Sequence, residues 1–121
     1  MKWLRRTRQQ QTGGDGELAA EQELTAAGLK LITRNYHCRG GEIDLIMQDG
    51  NTLVFVEVRV RNNSRFGSAE ESIGFRKQQR LQTAALHFLQ HHRRYQHAAC
   101  RFDSYCITDG KAQWLKNAFQ T

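Results

Sequence analysis

The sequence contains no proline, only three cysteines and no long apolar run. An odd number of cysteines without a C-x-x-C pair indicates neither a disulfide framework nor a zinc knuckle, so we expect thiols at Cys38, Cys100 and Cys106. No run of ~18 apolar residues could span a membrane. The basic start of the chain, from Met1 to Arg8, lacks the apolar segment of a signal peptide, so we expect a cytoplasmic protein.

Acidic residues are outnumbered by basic ones. The 121 residues include 18 Lys and Arg against 12 Asp and Glu, which gives a formal net charge of +6. A basic protein attracts polyanions, so the composition favours nucleic acid as a partner. The length suits one domain with one hydrophobic core.

The strongest local signal is a β-hairpin in the middle of the chain. Two runs of β-branched and large apolar residues, 41–47 and 52–60, flank the pair Asp49-Gly50. If that pair is the loop, residue 47 lies opposite 52, 44 opposite 55 and 42 opposite 57. Since side chains alternate along a strand, four charged ones then share a face: Glu42, Asp44, Glu57 and Arg59. The opposite face is apolar: Ile43, Leu45, Val54, Val56 and Val58.

The shared face predicts a cation site. Asp44 and Glu57 become diagonal neighbours about 5–8 Å apart, close enough to hold one divalent cation. Leu53 and Phe55 lie on the same face, so we expect it to be partly covered. Covered carboxylates repel one another unless a cation or base accompanies them. The alternative is a half-exposed sheet with a polar face, and a three-residue loop would move Glu57 to the face opposite Asp44.

The rest of the chain predicts a basic flexible tail over residues 1–15 and a single domain over residues 16–119. Asp15 caps the first helix and Gly28 ends it. The predicted elements follow in order: helix 16–27, strand 29–35, loop 36–40, the central hairpin, loop 61–69, helix 70–93, and a closing hairpin of strands 101–107 and 111–115. This order, α-β-β-β-α-β-β, predicts a mixed sheet with a helix on either side.

Two charged side chains share helix faces with apolar ones. Glu17 lies on the stripe of Ala20 and Leu24, and the alternative to a functional role is that it favours the helix dipole. Lys77 lies one turn before Leu81 on the buried stripe of the second helix, so its ammonium group is expected to point toward the sheet. The alternative is that its aliphatic stem lies on the helix end while the charge reaches solvent.

The two loops that flank the hairpin present cations. Arg39 lies in the first of them, and Arg61, Arg65 and Phe66 lie in the second. Cations beside an aromatic ring suit contact with a nucleic-acid backbone and stacking on an unpaired base. The alternative is an ordinary solvated loop.

Two strings of residues resemble a known family. G-E-I-D-L-I (41–46) and V-F-V-E-V-R (54–59), with Gly16-Glu17 before them and Lys77 after, resemble the YraN-like family of bacterial proteins. That family is similar to the restriction-endonuclease-like superfamily, which includes archaeal-type Holliday junction resolvases and carries a D…(D/E)-x-K signature. The resemblance spans about residues 12–119. It implies a restriction-endonuclease-like αβββαβ core, an α/β fold whose mixed sheet is flanked by helices.

The resemblance also implies a metal site. Asp44 and Glu57 match the carboxylates that bind Mg²⁺ or Mn²⁺, and the carbonyl of Val58 would complete the metal shell. Glu17 matches a helix glutamate that assists the site in resolvase-like members.

One position departs from the superfamily pattern. Arg59 stands where the superfamily has lysine, and arginine stays charged, so it can stabilise negative charge but cannot act as a general base. Lys77 is the candidate to supply the missing ammonium group, as other members of the superfamily relocate that residue.

Three functions follow as hypotheses. The first is a metal-dependent nuclease that hydrolyses phosphodiester bonds in DNA rather than RNA, on branched or flapped substrates and as a homodimer like the resolvases. The second is a nucleic-acid-binding protein that has kept the scaffold and lost the chemistry, for which Arg59 is the main argument. The third is a protein-interaction module.

Overall fold

The computed structural model describes residues 8–62 and 73–119, with side chains from residue 14 onward. The described elements follow in chain order: α1 (Arg8–Ala26), β1 (Lys30–Cys38), β2 (Gly41–Asp49), β3 (Thr52–Arg61), α2 (Phe75–His91), a 3₁₀ turn (Arg93–Tyr95), β4 (Ala99–Thr108) and β5 (Lys111–Phe119). Neither described α-helix combines the length and the apolar character needed to cross a bilayer.

The strands form one sheet in the order β1-β2-β3-β4-β5. β3 and β4 are parallel, and the other neighbours are antiparallel. A parallel pair needs a crossover connection, and α2 lies in the segment that joins β3 to β4. The predicted α/β class and the αβββαβ order with a mixed sheet are confirmed.

Two apolar clusters pack against the two faces of the sheet. On one face α2 contributes Leu81, Ala84 and Phe88 to a cluster with residues of the strands, including Ile43, Ile46, Leu53, Phe55 and Phe102. On the other face α1 packs Ala20 and Leu24 against Leu45, Met47, Val54, Val56 and Tyr105. β2 and β3 supply both clusters, which explains why their apolar residues are nearly continuous. A helix on each side of the sheet is therefore confirmed.

Helix α1 ends where the sequence predicts. Gly28 has φ +104°, and its amide donates to the carbonyl of Thr25 while the amide of Leu29 donates to the carbonyl of Leu24. This pair of hydrogen bonds is a Schellman motif, and Leu24 and Leu29 both belong to the buried cluster beside it. Glycine is favoured at this position because it adopts positive φ without strain.

The predicted start of α1 was wrong. The helix begins at Arg8, so Asp15 lies inside it instead of capping it. The sequence argued against helix here because glycine, found at positions 13, 14 and 16, is a poor helix former. Residues 1–7 of the predicted tail lie outside the described residues.

The predicted register of the central hairpin was also wrong. Asp49 pairs with Thr52 and Leu45 pairs with Val56, so the loop is Gly50-Asn51 instead of Asp49-Gly50. Gly50 has φ +59° while Asn51 has no positive φ, which suits a hairpin turn that requires glycine only at its first central position. Because the observed register differs from the predicted one by two residues, an even number, it still assigns Asp44 and Glu57 to the same face of the hairpin.

The alternation of side chains along β2 is interrupted at Asp44. Ile43 and Ile46 join the cluster under α2, while Leu45 and Met47 join the cluster under α1. The prediction that Ile43 shares a face with Leu45 was therefore wrong. A strict period of two could not reveal this irregularity.

Other boundaries differ by a few residues. β1 continues through Tyr36 to Cys38, which the sequence analysis had placed in a loop. The predicted helix 70–93 was too long: Ile73 and Gly74 are not helical, and α2 ends at His91. Residues 70–72 of the prediction lie outside the described residues. β4 and β5 are longer than predicted. The three cysteines form no disulfide, as their number indicated.

Candidate active site

Asp44 lies where β2 and β3 separate. The ladder between the two strands ends at the pair Leu45–Val56, although both strands continue beyond it. There the Asp44 Oδ2 atom accepts a hydrogen bond of 2.7 Å from the backbone amide of Val58. The Asp44 side chain thus accepts the hydrogen bond that the Val58 amide would donate to β2 in a longer ladder. This bond fixes the Asp44 carboxylate beside Glu57.

Glu57 is a buried carboxylate with one lysine partner. Only 7% of its surface is exposed, and its Oε1 atom lies 3.4 Å from the Nζ atom of Lys77 in the first turn of α2. The Lys77 side chain points toward the sheet, as its helical position predicted. The Glu57 Oε2 atom is buried and has no hydrogen-bond partner among the described residues. An unsatisfied buried acceptor of this kind needs a physical explanation, such as an ion.

Burial raises the pKa of both carboxyl groups. For Glu57, desolvation outweighs the attraction of Lys77, and the negative charge of Asp44 raises the pKa further. For Asp44, desolvation outweighs the hydrogen bond from the Val58 amide. Two perturbed carboxyl groups at one point of a fold are typical of functional sites.

A cavity of about 390 Å³ lies beside Glu57. It is lined by the end of β3 and the start of α2: Glu57, Val58, Arg59, Val60, Arg61, Ile73, Gly74 and Lys77. Arg59, Arg61 and Lys77 bring three cations to this space, and Glu57 is the one carboxylate among its described lining residues, which suits an anionic ligand. Arg59 also lowers the pKa of Glu57 by its charge, although burial prevails.

Gly16, the neighbour of Glu17 in the chain, brings α1 close to the end of β3. A Cβ atom on Gly16 would lie 2.7 Å from the Val60 Cγ2 atom and 3.5 Å from the Val58 Cγ1 atom. The close approach of α1 to the end of β3 therefore requires glycine at position 16. The adjacent Glu17 is half-buried on the α1 side of the sheet, in the layer opposite Lys77.

The predicted nucleic-acid contacts divide into three cases. Arg61 ends β3 and lines the cavity beside Glu57. Arg39 is exposed in the turn between β1 and β2. Arg65 and Phe66 lie outside the described residues.

Glu42, the fourth predicted charge of the hairpin, is paired on the surface. Its carboxylate lies 3.4 Å from the His37 Nδ1 atom and 3.7 Å from a guanidinium nitrogen of Arg80. Its negative charge still contributes to the raised pKa of Asp44. Glu42 therefore acts on Asp44 through its charge, while its carboxylate contacts His37 and Arg80 at the surface.

The donor set suits a hard cation with few protein ligands. Among the described residues, no three His, Cys, Asp or Glu side chains are grouped to hold a metal ion. Asp44 and Glu57 supply oxygen atoms, and one of those oxygens has no partner in the described chain. Mg²⁺ is commonly bound by one or two carboxylates together with water and substrate phosphate. The site therefore fits Mg²⁺ better than Zn²⁺.

Replacement of Glu57 by glutamine is expected to stabilise the metal-free protein at about pH 8, by about 1 kcal/mol. Because the folded-state pKa of Glu57 is raised, the folded protein binds more protons than the unfolded chain between the two pKa values. The charged carboxylate therefore destabilises wild type above its folded pKa, and this penalty disappears below the unfolded pKa. Urea unfolding of both proteins in EDTA across this pH range measures the difference.

The control is Asp15→Asn, which removes the charge of an exposed carboxylate in α1. Its effect on the free energy of unfolding is expected to stay within ~0.5 kcal/mol at every pH. A Glu57→Gln variant that is less stable than wild type at high pH would show that the pair with Lys77 outweighs burial.

Sequence reasoning missed the outer face of α2. Phe75 is exposed, and Arg76 and Arg80 lie beside it on the same helix. The helical period could have revealed this face, because Phe75 falls on the side opposite Leu81 and Phe88.

The fold and the site together define a class of protein. It is an α/β domain with a five-stranded mixed sheet between two helices, in which the buried Glu57, the partly buried Asp44 and Lys77 meet at the end of a central hairpin. The chain belongs to the uncharacterised protein family UPF0102, whose model matches residues 16–107. This is the YraN-like family that the two strings of residues indicated.

Relatives match nearly the whole chain. A UPF0102 protein of Saccharophagus degradans is 51% identical over 109 residues, which cover 90% of this chain and 92% of that protein. One of Alkalilimnicola ehrlichii is 50% identical, with coverage of 90% and 86%. One of Pseudomonas syringae pv. syringae is 46% identical, with coverage of 98% and 100%.

Proposed function

We propose that this protein is a metal-dependent nuclease that hydrolyses phosphodiester bonds in DNA. The observation that carries the proposal is the unpartnered, buried Oε2 atom of Glu57, next to Asp44 and in a cavity lined by cations. A metal ion held by the two carboxylates would explain why negative charge is buried there. The basic side chains of the cavity suit a phosphate.

Asp44 and Glu57 would hold the cation, with the carbonyl of Val58 as a further oxygen ligand. When bound, Mg²⁺ or Mn²⁺ supplies Lewis-acid stabilisation of the phosphate and lowers the pKa of a water molecule. The raised pKa values of both carboxyl groups make this binding pH-dependent, because the ligands must be deprotonated.

The basic residues of the cavity have different tasks. Arg59 and Arg61 bind phosphate oxygens and stabilise developing negative charge, since a guanidinium group stays protonated. Lys77, 3.4 Å from Glu57, supplies the ammonium group that orients the attacking water and can exchange a proton. Glu17 would support the site from the α1 side, as the resemblance to resolvases implies.

The same resemblance extends the proposal to branched or flapped DNA and to a homodimer. A second candidate function is nucleic-acid binding without catalysis. It is favoured by Arg59, because arginine stands where the resembling nucleases carry lysine. This candidate predicts salt-sensitive binding and no cleavage with any metal.

Cleavage assays separate the two candidates. Labelled single-stranded, duplex, flapped and four-way-junction DNA, and RNA, are incubated with Mg²⁺ or Mn²⁺. We expect wild type to cleave DNA, and Asp44→Asn, Glu57→Gln and Lys77→Ala to lower the rate by about 100-fold or more. Asp109→Asn, an equivalent change at an exposed turn, should cleave like wild type.

Thermal unfolding gives a readout that does not depend on cleavage. Mg²⁺ is expected to raise the melting temperature of wild type and not that of Glu57→Gln, because a cation that binds only the folded state stabilises it. Equal stabilisation of both proteins would reject the metal site. Binding of nucleic acid without cleavage under every condition would reject the nuclease in favour of the second candidate.

A further inference from the structure

The outward face of α2 carries apolar side chains that the core does not use. Phe75 is 74% exposed and Leu86 is 59% exposed. Eleven residues separate them, which corresponds to about three helical turns, so the two side chains lie on one line along the helix. Gln79 and Gln82 lie between them on the same line. The line faces away from Leu81 and Phe88, which are buried.

Two arginines lie along one side of this line. Arg76 and Arg80 are both exposed, and their spacing of four residues places them about 6 Å apart along the helix axis. Both line an open groove of about 520 Å³ against the turn between β1 and β2, together with Gly40, Gln79, Gln82, Thr83 and Leu86. No carboxylate is among these lining residues.

Arg80 remains able to bind an anion although Glu42 lies 3.7 Å away. A guanidinium group has five N–H donors, and this single long contact uses few of them. Glu42 also has a second partner in His37, at 3.4 Å. The ion pair therefore holds Arg80 beside the groove while it leaves donors for a phosphate.

The face begins in the same turn of α2 as the candidate active site, because Arg76 lies between Gly74 and Lys77 of the cavity beside Glu57. Lys77, which contacts Glu57, lies between Arg76 and Arg80 on α2 but points toward the sheet. A nucleic-acid strand that contacts Arg76 and Arg80 on the outer side of α2 is then separated from the cavity beside Glu57 by the width of the helix. Cations, amide groups and an exposed aromatic ring in one surface are the combination with which proteins bind single-stranded nucleic acids.

We propose that the outer face of α2 binds an unpaired nucleic-acid strand and leads it to the site of Glu57 and Lys77. Phe75 stacks on a base, and Arg76 and Arg80 contact successive phosphates. The inference rests on the proposed function, for which it names the substrate class: DNA with a single-stranded segment next to the bond that is cut. A closed duplex hides the faces of its bases, so Phe75 contributes only where a base is unpaired.

An acidic protein segment is the competing occupant, since arginines would also attract carboxylates. The exposed phenylalanine at the start of the helix favours the nucleic acid, because its ring can stack on a base beside the phosphates that the arginines bind. Competition distinguishes the two occupants directly.

Fluorescence anisotropy in EDTA tests the proposal without cleavage. The probes are labelled oligothymidylate of about 12 nucleotides and a blunt-ended DNA duplex of two annealed strands, which has no unpaired base. Phe75→Ala is expected to weaken binding of the oligothymidylate about tenfold, with the same salt dependence and with duplex binding unchanged. Arg76→Ala with Arg80→Ala is expected to weaken binding and to reduce the slope of log K against log salt by about 1.4, which corresponds to two phosphates.

Matched changes elsewhere serve as controls. Leu18→Ala removes an exposed apolar side chain from α1, and Arg93→Ala with Lys111→Ala removes two exposed cations outside the groove. Both controls should bind both probes like wild type. Thermal unfolding of every variant confirms that the fold is retained, because all the changed side chains are exposed.

Four binding results would overturn the proposal. They are no binding of oligothymidylate by wild type, equal losses in the control variants, an equal loss of duplex binding in Phe75→Ala, and displacement of the probe by polyglutamate at lower concentration than by unlabelled oligothymidylate. The nuclease proposal fails separately. Binding with the expected losses but no cleavage keeps the strand-binding face and rejects the nuclease, while cleavage unaffected by Phe75→Ala and by the paired arginine change rejects the face alone.

Discussion

Gly41→Ala is expected to lower the free energy of unfolding by about 3 kcal/mol or more. Gly41 is buried at the start of β2, where α2 crosses the strand. A Cβ atom at this position would clash with the carbonyl oxygen of Arg80 and lie 3.0 Å from the amide nitrogen of Ala84. Both are backbone atoms of a helix, so neither can rotate away and the whole helix must shift.

Urea unfolding and the melting temperature measure this loss, which should reach about 10 °C. Gly74→Ala is the control, because a Cβ atom there has nothing within 4 Å and φ is −64°. Its effect should stay within ~0.5 kcal/mol. A Gly41→Ala protein as stable as wild type would show that α2 does not pack on β2 as closely as described. Since α2 carries Lys77, the variant should also lose the contact with Glu57.

Asp103→Ala is expected to cost about 3–5 kcal/mol of stability. The Asp103 carboxylate is fully buried in β4 and accepts hydrogen bonds from the Arg101 Nε atom at 3.0 Å, the Trp114 Nε1 atom at 2.9 Å and the Asn117 amide at 2.9 Å. Removal of the carboxylate leaves three donors without this acceptor, and among the described residues the largely buried Arg101 guanidinium keeps only its contact with Asp49. These bonds also join β4 to β5 where the register between the two strands shifts.

Asp49→Ala provides the comparison, because Asp49 contacts the same arginine from the surface. Its distance to the Arg101 guanidinium group is 3.0 Å, but its side chain is 40% exposed. Exposed ion pairs contribute about 0–1 kcal/mol, so this variant should lose far less stability in urea than Asp103→Ala. Equal losses in the two variants would contradict a special role for the buried carboxylate.

The sequence predicted those parts of the site that depend on local periodicity. Lys77 was expected to point toward the sheet because it shares a helical stripe with Leu81, and it contacts Glu57. Asp44 and Glu57 were expected together because both lie on one hairpin, at positions whose side chains share a face in the predicted register. The register itself was off by two residues, an even number that leaves the facing of the ladder unchanged, and Asp44 lies close enough to Glu57 to raise its pKa.

Other features of the site depend on contacts between segments far apart in the chain. The hydrogen bond from the Val58 amide to Asp44 requires that β2 and β3 separate after Leu45, which no local pattern encodes. The buried network of Asp103 requires β5 to return beside β4. An Asp in a strand reads as a surface residue until its partners are known.

The sequence by itself determined the order of helices and strands, the end of α1 at Gly28 and the two carboxylates of the hairpin. These depend on apolar periods and on the freedom of glycine, which are properties of a few neighbouring residues. Only the tertiary structure decided the register of the hairpin, the interruption at Asp44 and the close packing of α2 on Gly41. Each of these depends on how strands pair and how helices pack on the sheet. Such packing depends on many contacts between residues that are distant in sequence.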